Sequence, residues 1–464
     1  MREELQVLHT NDLHSHLERW PKIRRFLTNQ RRLAKRKGIE TFTFDIGDAL
    51  DRQNALTEAT MGQANVDLMN EVHYDAVTIG NNEDLGMNHD ALNRLYTHAQ
   101  FPVLVANLTD AGSGQLPDWA FEKKILTTTA GTRVGVLGLT APFILTLPLL
   151  GWLPKEVDAV LPQLLADLHK QVDVIILLSH LGLPVDRYLA DRYSDIDLIL
   201  GAHTHHLLPE GEWWSGTLLA AAGRYGEHLG KIHLTLVDHQ VLSAQASTIK
   251  TDDLPSLPDD QGEIDALEQR GHRLLAKKVF AKLEAPYERS LGASHRVIDL
   301  GVAALKWYTQ TDLVMLSTGM FLTDLPAGEV TADELHTMLP HAVHPMRTTL
   351  TGADLKRLVQ EVHKNQPYLV NHRVHGMGFR GDTFGQVLFD GLREDAQGTL
   401  YVQDIPVEDC RVYRLGTLEH YMFIPYFPTL EIAGKNELMY QHVFREVVGA
   451  YLAKESKESG EHDS

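Results

Sequence analysis

"LQVLHT" (residues 5–10) is short and rich in branched apolar side chains, as a strand buried on both faces is. "NDLHSH" (11–16) follows at once and sets Asp12, His14 and His16 where that strand would end. The same design recurs along the first half of the chain. "TFTFD" (41–45) leads into "IGDALD" and Asp48, and "DAVTIG" (75–80) leads into Asn81 and Asn82. "VDVIILLSH" (172–180) ends in His180, and the run from 196 ends in "GAHTHH", with His203, His205 and His206. Further apolar runs lie at 101–108 and 132–140, and stretches of helical length at 60–73, 88–99, 157–170 and 184–193. Alternating strands and helices predict an α/β domain. In an open α/β sheet the carboxyl ends of the strands share one edge, where ligands bind. Residues nearly two hundred positions apart are therefore expected in one pocket.

Taken singly, a DxH, a GD or a SHLG is more often a turn or a cap than part of a ligand set. That reading leaves unexplained why all of them follow buried runs, and why "GAHTHH" offers histidines at i and i+2. The resulting set is Asp12, His14, Asp48, Asn81, His180, His203 and His205. Mixed oxygen and imidazole donors suit Mn²⁺, Zn²⁺, Co²⁺ or Fe²⁺ better than Mg²⁺ or Ca²⁺. Seven side chains exceed the needs of one tetrahedral ion and suit two ions sharing a carboxylate, with Asp48 as the natural bridge. Two ions roughly 3.5–4 Å apart generate a bridging hydroxide and clamp a phosphoryl group for in-line attack.

The 464 residues exceed one ordinary domain. With 43 basic and 62 acidic residues the net charge is −19, which argues against a broad nucleic-acid-binding surface. The single Cys410 rules out an internal disulfide. The N-terminus lacks the apolar core of a secretory signal, and "LTAPFILTLPLLGWLP" (139–154) is short and broken by three prolines, so a cytoplasmic protein without a membrane partner is expected. Residues 217–247 read as successive strands closing a first domain at 1–251. "DDLPSLPDDQ" (252–261) reads as a linker and 262–283 as a bridging helix, together filling 252–286. A second α/β unit is expected at 287–452, and the charged tail 453–464 is expected to be disordered. No GxxxxGK[ST], GxSxG or HExxH motif is present.

"DLH" (12–14), "GD" (47–48), "GNNE" (80–83), "SHLG" (179–182) and "GAHTH" (201–205) resemble the motif series of the calcineurin-like metallophosphoesterases. "HTNDLHSHLE" (9–18) and "AAGRYGEHLGKIHL" (221–234) are similar to the 5′-nucleotidase and 2′,3′-cyclic phosphodiesterase family. "LPAGEVTADELHTMLP" (325–340) and "LTGADLKRLV" (350–359) resemble that family's C-terminal substrate-binding domain. The resemblance implies a four-layer α/β/β/α metallophosphoesterase domain and a smaller α/β C-terminal domain. It implies one metal on Asp12, His14, Asp48 and His205, and another on Asp48, Asn81, His180 and His203. The substrate it implies is a small phosphorylated compound of nucleotide type, not a nucleic acid polymer.

The sequence also departs from the family. The family usually reads GNHE or GNHD where "GNNE" stands, and that histidine contacts the phosphate; Asn82 occupies its place, and Leu85 that of its acidic partner. An amide hydrogen-bonds a phosphate oxygen but cannot protonate an alkoxide, and losing general acid catalysis typically costs about 10²–10⁴ in rate. Three readings follow: a substrate with a good leaving group such as a phosphoanhydride; another histidine (16, 89, 206, 341 or 344) in the role; or a metal-containing binding protein with little turnover. "STGMFL" (317–322) puts Leu322 at the family's substrate-gripping arginine, which leaves Arg296 and Arg347 for the anion and Phe379 and Phe427 for a base. Bland priors make both phenylalanines ordinary packing residues as readily. A phosphatase or pyrophosphatase for a non-nucleotide metabolite is the alternative within hydrolases.

Overall fold

Strand Val174–His180 is buried at every residue, and its two faces go to different neighbours. Val174, Ile176 and Leu178 pack with Leu5, Val7, Phe42 and Phe44 of another sheet. Ile175 and Leu177 pack with Leu161, Leu164, Leu165 and Leu189, which belong to helices Val157–Leu168 and Leu183–Arg192. The side-chain period of two thus explains why the run carries no polar alternation. It also puts His180 on the face turned to the other sheet and Ser179 on the helix side, where its hydroxyl donates to Asp186 at 2.5 Å.

The computed structural model describes residues 2–373 and 378–462. They form two units, Met1–Gly271 and His272–Ser464. In the first unit, one sheet has the order Gln240–Lys250, His228–Val237, Arg2–Thr10, Glu40–Asp45, Ala76–Val77, Val103–Leu104, Ala120–Phe121. The pairs from Arg2–Thr10 onward are parallel, and the first two pairs are antiparallel. The other sheet runs Glu212–Trp214, Thr217–Ala220, Leu198–Gly201, Val174–His180, Arg133–Thr140, Lys123–Thr127, parallel in its middle and antiparallel at both edges. The sheets pack face to face and helices cover them outside, giving the α/β/β/α layering. The second unit is built on a five-stranded sheet, Val387–Asp390, Leu313–Ser317, Val412–Leu418, Pro345–Thr351, Lys435–Leu438, with helices Val297–Thr309, Gly352–Leu369 and Phe444–His462. Among the described residues no helix is long and apolar enough to cross a membrane.

Several elements differ in extent from the sequence reading. The stretch 60–73 divides into Ala55–Thr60 and Gln63–Asn70, because Met61 and Gly62 both adopt left-handed backbone, at φ 46° and 78°. Helix Trp20–Arg36 was not among the expected segments. Its buried Trp20, Ile23, Phe26, Leu27 and Ala34 have helical spacing but are diluted by arginines, lysines and glutamine. The stretch expected as one helix over 262–283 is a helix Asp260–Leu275 followed by strand Val279–Leu283, which pairs antiparallel with Gly328–Thr331. Helical backbone continues through His462 over the tail; residues 463 and 464 lie outside the described residues.

Candidate metal centre

The carboxyl ends of five strands meet at one place, and they come from both sheets rather than from the edge of a single open sheet. Arg2–Thr10, Glu40–Asp45 and Ala76–Val77 deliver Asp12, Asp48 and Asn81; Val174–His180 and Leu198–Gly201 deliver His180 and His203. Face-to-face packing brings the two groups within bonding distance. The His203 N–H donates to both Asp12 carboxylate oxygens at 3.1 and 3.2 Å, and His203 Nδ1 lies 2.8 Å from Asn81 Oδ1. His180 Nδ1 donates to Ile46 O at 2.7 Å, so its Nε2 points inward, 3.5 Å from Asp48 Oδ2. His14 Nε2 lies 3.1 Å from His205 Nε2 and 3.7 Å from Asp48 Oδ2.

Two sets of donor atoms, each within a 4.8 Å span, emerge among the described residues: Asp12, His14 and His205, and Asp12, Asp48 and His180. Two observations fit these residues to cations. His180 Nε2 is fully buried and makes no hydrogen bond, with Asp48 Oδ2 standing off at 3.5 Å, a spacing that a cation bound between the two would satisfy. A Cβ on Gly80 would run into Asp48 Oδ1 and His180 Nε2, so glycine keeps that space open. The backbone is also held in a disfavoured conformation here: Asp12, His14, Asp48, His203 and His205 all have positive φ, between 47° and 71°.

The electrostatics are strongly coupled to burial. Burial pushes Asp12 up to about 7. Asp48 is held well below the usual carboxylate range: burial opposes its charge, but His180 and then His14 outweigh it. Burial alone would lower His180, yet Asp48 beside it lifts its pKa to about 10. Burial brings His203 and His205 down to about 4, leaving both as neutral imidazoles, the form that binds metals.

Three residues that the sequence reading gave no role organise these loops. The buried Glu83 carboxylate accepts from the backbone N–H groups of Asp48 (3.0 Å), Leu50 (3.1 Å) and Gly80 (2.8 Å), tying the "GD" loop to the "GNNE" loop. Asn11 donates to Asp12 Oδ2 and to Gly223 O, and accepts from the Ala222 N–H. Ser15 Oγ accepts from the Asp51 N–H, the Thr57 hydroxyl and the Asn65 amide. Their available signal was position beside the motifs; their partners are distant in sequence.

Asn82 sits at the centre, with its amide committed to the protein. Its Nδ2 donates to Leu50 O at 2.7 Å and lies 2.9 Å from His14 Nδ1, and its N–H donates to Asp48 Oδ1 at 2.7 Å. Of the other histidines considered, His16 is bound to Glu18 and packs on Tyr225, His206 meets Thr204 Oγ1, and His89 meets Asp110. His341 and His344 are buried within the second unit. The second unit also corrects the expected contacts to a base. Phe379 and Phe427 are 2% and 0% exposed and belong to its hydrophobic core, so neither offers a face to a base. Packing won because Phe379 stacks on His341 and Phe427 fills the space beside Phe384 and Tyr421. Arg296 is paired with Asp299, and Arg347 with Glu437.

Comparison with known proteins agrees with this geometry. Residues 5–207 match the calcineurin-like phosphoesterase family, and residues 279–421 match the 5′-nucleotidase C-terminal domain. The metallophosphoesterase YunD of Bacillus subtilis (strain 168) is 35% identical over 98% of this chain and 100% of its own length. The crystal structure of a 5′-nucleotidase precursor from Thermus thermophilus superposes with a TM-score of 0.60 at 20% identity, covering 98% of this chain and 97% of the other. The NAD nucleotidase of Haemophilus influenzae gives 0.66 at 18% identity, with the same coverage. The two family matches in one chain, with a relative 35% identical over its whole length, make this chain a member of the calcineurin-like metallophosphoesterases of the 5′-nucleotidase family, a metal-dependent phosphoesterase.

Proposed function

We propose that the protein hydrolyses a phosphoester or phosphoanhydride of a nucleotide or nucleotide-like compound at a dinuclear centre. The observation that carries this reading is the convergence of Asp12, His14, Asp48, Asn81, His180, His203 and His205 from five strand ends. One ion would be held by Asp12, His14, Asp48 and His205, and the other by Asp48, Asn81, His180 and His203, Mn²⁺ or Zn²⁺ suiting this donor set. The position of Asp48 Oδ2, 3.5 Å from His180 Nε2 and 3.7 Å from His14 Nε2, supports its role as the shared ligand. When bound, such a pair of ions supplies an acidified water as nucleophile and neutralises phosphoryl oxygens. Asn82 holds His14 and Leu50 in place and has no proton to give a leaving group. The chain's own residues therefore favour a substrate whose leaving group departs as a stable anion, as the phosphate of an anhydride does.

The test is phosphate release by the Mn²⁺-loaded protein from aryl phosphates of graded leaving-group pKa, and from nucleoside monophosphates, dinucleotides and nucleotide sugars. A steep rate decline with rising leaving-group pKa is expected, with all activity lost in Asp48→Ala. A flat dependence would sink the role given to Asn82. Burial of Phe379 and Phe427 favours a second reading, a phosphatase or pyrophosphatase for a non-nucleotide metabolite. Equal rates on matched substrates with and without a base would select it.

A further inference from the structure

Beside the metal centre stands a cation that the reading above does not use. Arg224 is exposed and lies on the loop that follows strand Thr217–Ala220. That loop is fixed from both sides. The Tyr225 N–H donates to Asp12 O at 2.7 Å, and Asn11 bonds Ala222 and Gly223. Gly223, Tyr225 and Gly226 all have left-handed backbone, at φ 75°, 60° and 64°, so the turn has little freedom to rearrange. The Tyr225 ring packs against His14, His16 and His205, and the Arg224 guanidinium lies over that ring, 4.6 Å from its centre. Arg224 Nη1 is 3.5 Å from His205 Nδ1, a long contact.

The neighbouring basic side chains are committed. His16 and Arg19 both bind Glu18 at 2.7 Å. Among the described residues no carboxylate pairs with Arg224, which meets His205 and Tyr225. This guanidinium belongs to a chain of net charge −19, and His14, packed on the same tyrosine ring, stands within 4 Å of Asp12, Asp48 and Asp51, carboxylates that repel an approaching anion. A guanidinium offers a planar fork that matches phosphate oxygens and is weakly hydrated, and the tyrosine face limits its motion. The same site has a neutral amide at Asn82.

We propose that Arg224 is a substrate-contacting residue that binds an anionic phosphate oxygen at the mouth of the metal centre. This rests on the hydrolase reading for the reaction but is testable without turnover. Inorganic phosphate is titrated calorimetrically into the Mn²⁺-loaded wild type, Arg224→Ala and Arg224→Lys, with bound metal measured for each. Arg224→Ala is expected to weaken phosphate binding about tenfold or more, and Arg224→Lys to recover part of that, at unchanged metal content. With p-nitrophenyl phosphate, kcat/KM should fall in the same order. Phosphate affinity in Arg224→Ala within twofold of wild type would overturn the proposal. So would a loss matched by loss of metal, or a wild type that binds no phosphate. If the wild type binds phosphate through Arg224 yet hydrolyses nothing in the panel, the hydrolase reading falls and this one stands.

Discussion

Gly80 shows how one absent side chain shapes the centre. A methyl group there would occupy the space between Asp48 Oδ1, held by the Asn82 N–H, and His180 Nε2, whose ring is held through Nδ1 on Ile46 O. Gly80→Ala is therefore expected to lower the metal bound per folded chain below that of wild type, measured by plasma emission on protein whose circular dichroism is unchanged. Full metal content would show that the loop yields more easily than its hydrogen bonds imply. Asn82 makes the complementary case. An imidazole there could protonate a leaving group, so Asn82→His should raise hydrolysis of alkyl phosphates relative to p-nitrophenyl phosphate by about tenfold or more, within the range general acids contribute. An unchanged ratio of the two rates would mean that the histidine does not reach the leaving oxygen.

At the scale of elements, the loops of the candidate centre are tied together by a carboxylate that binds backbone. Glu83 lies in the short helical turn Asn81–Asp84, and its two oxygens take three N–H groups from the two loops that carry Asp48 and Asn81. Burial, and then the Asp48 charge, push its pKa well up, so it holds its place through those N–H groups and not through a salt bridge. Glu83→Gln replaces one acceptor oxygen by a donor facing N–H groups. It should destabilise the first unit by about 1–3 kcal/mol, the usual penalty for a buried unsatisfied group, read from urea unfolding. A change below the error of the extrapolation would remove Glu83 from this role. Such residues are hard to read in sequence because a buried carboxylate beside a metal motif looks like a further ligand. Helix Trp20–Arg36 was obscured for a related reason: its charged face outnumbers its buried one.

Across the whole molecule, the second unit carries a buried histidine with a definite acid response. His341 is held neutral: Nε2 donates to Met320 O at 2.7 Å, Nδ1 accepts from the Arg380 N–H at 2.8 Å, and Phe379 stacks on the ring. Burial lowers its pKa to about 3, helped by Arg380, Arg445 and His336. Between about 6.5 and 3 the unfolded chain binds a proton that the folded unit refuses. The stability due to neutral His341 is therefore complete above pH 6.5 and is lost progressively as pH falls towards 3, by ~5 kcal/mol over the whole window at 1.36 kcal/mol per unit. His341→Gln should flatten the slope of unfolding free energy against pH by about half a proton at pH 6.5, rising to about one proton at pH 5. An identical slope would place the titration elsewhere.

The sequence alone determined which residue types end each buried run, and hence the candidate donor set that we propose and the α/β class. Strand identity and side-chain alternation are local properties, set by apolar composition and a period of two. It also marked the break in pattern at Asn82, because that is a matter of residue identity. Only the tertiary structure decided that these candidate donors come from two sheets facing each other, which requires knowing which face of Val174–His180 meets Phe42 and Phe44. Only it buried Phe379 and Phe427 in a core rather than in a binding cleft, since a phenylalanine satisfies either environment equally well until its neighbours are known. The commitment of Asn82 to Leu50 and His14, the three N–H groups on Glu83 and the lone guanidinium of Arg224 are likewise tertiary facts. Each depends on partners brought together by chain folding, and hydrogen bonds of that kind leave no period or composition in the sequence to read.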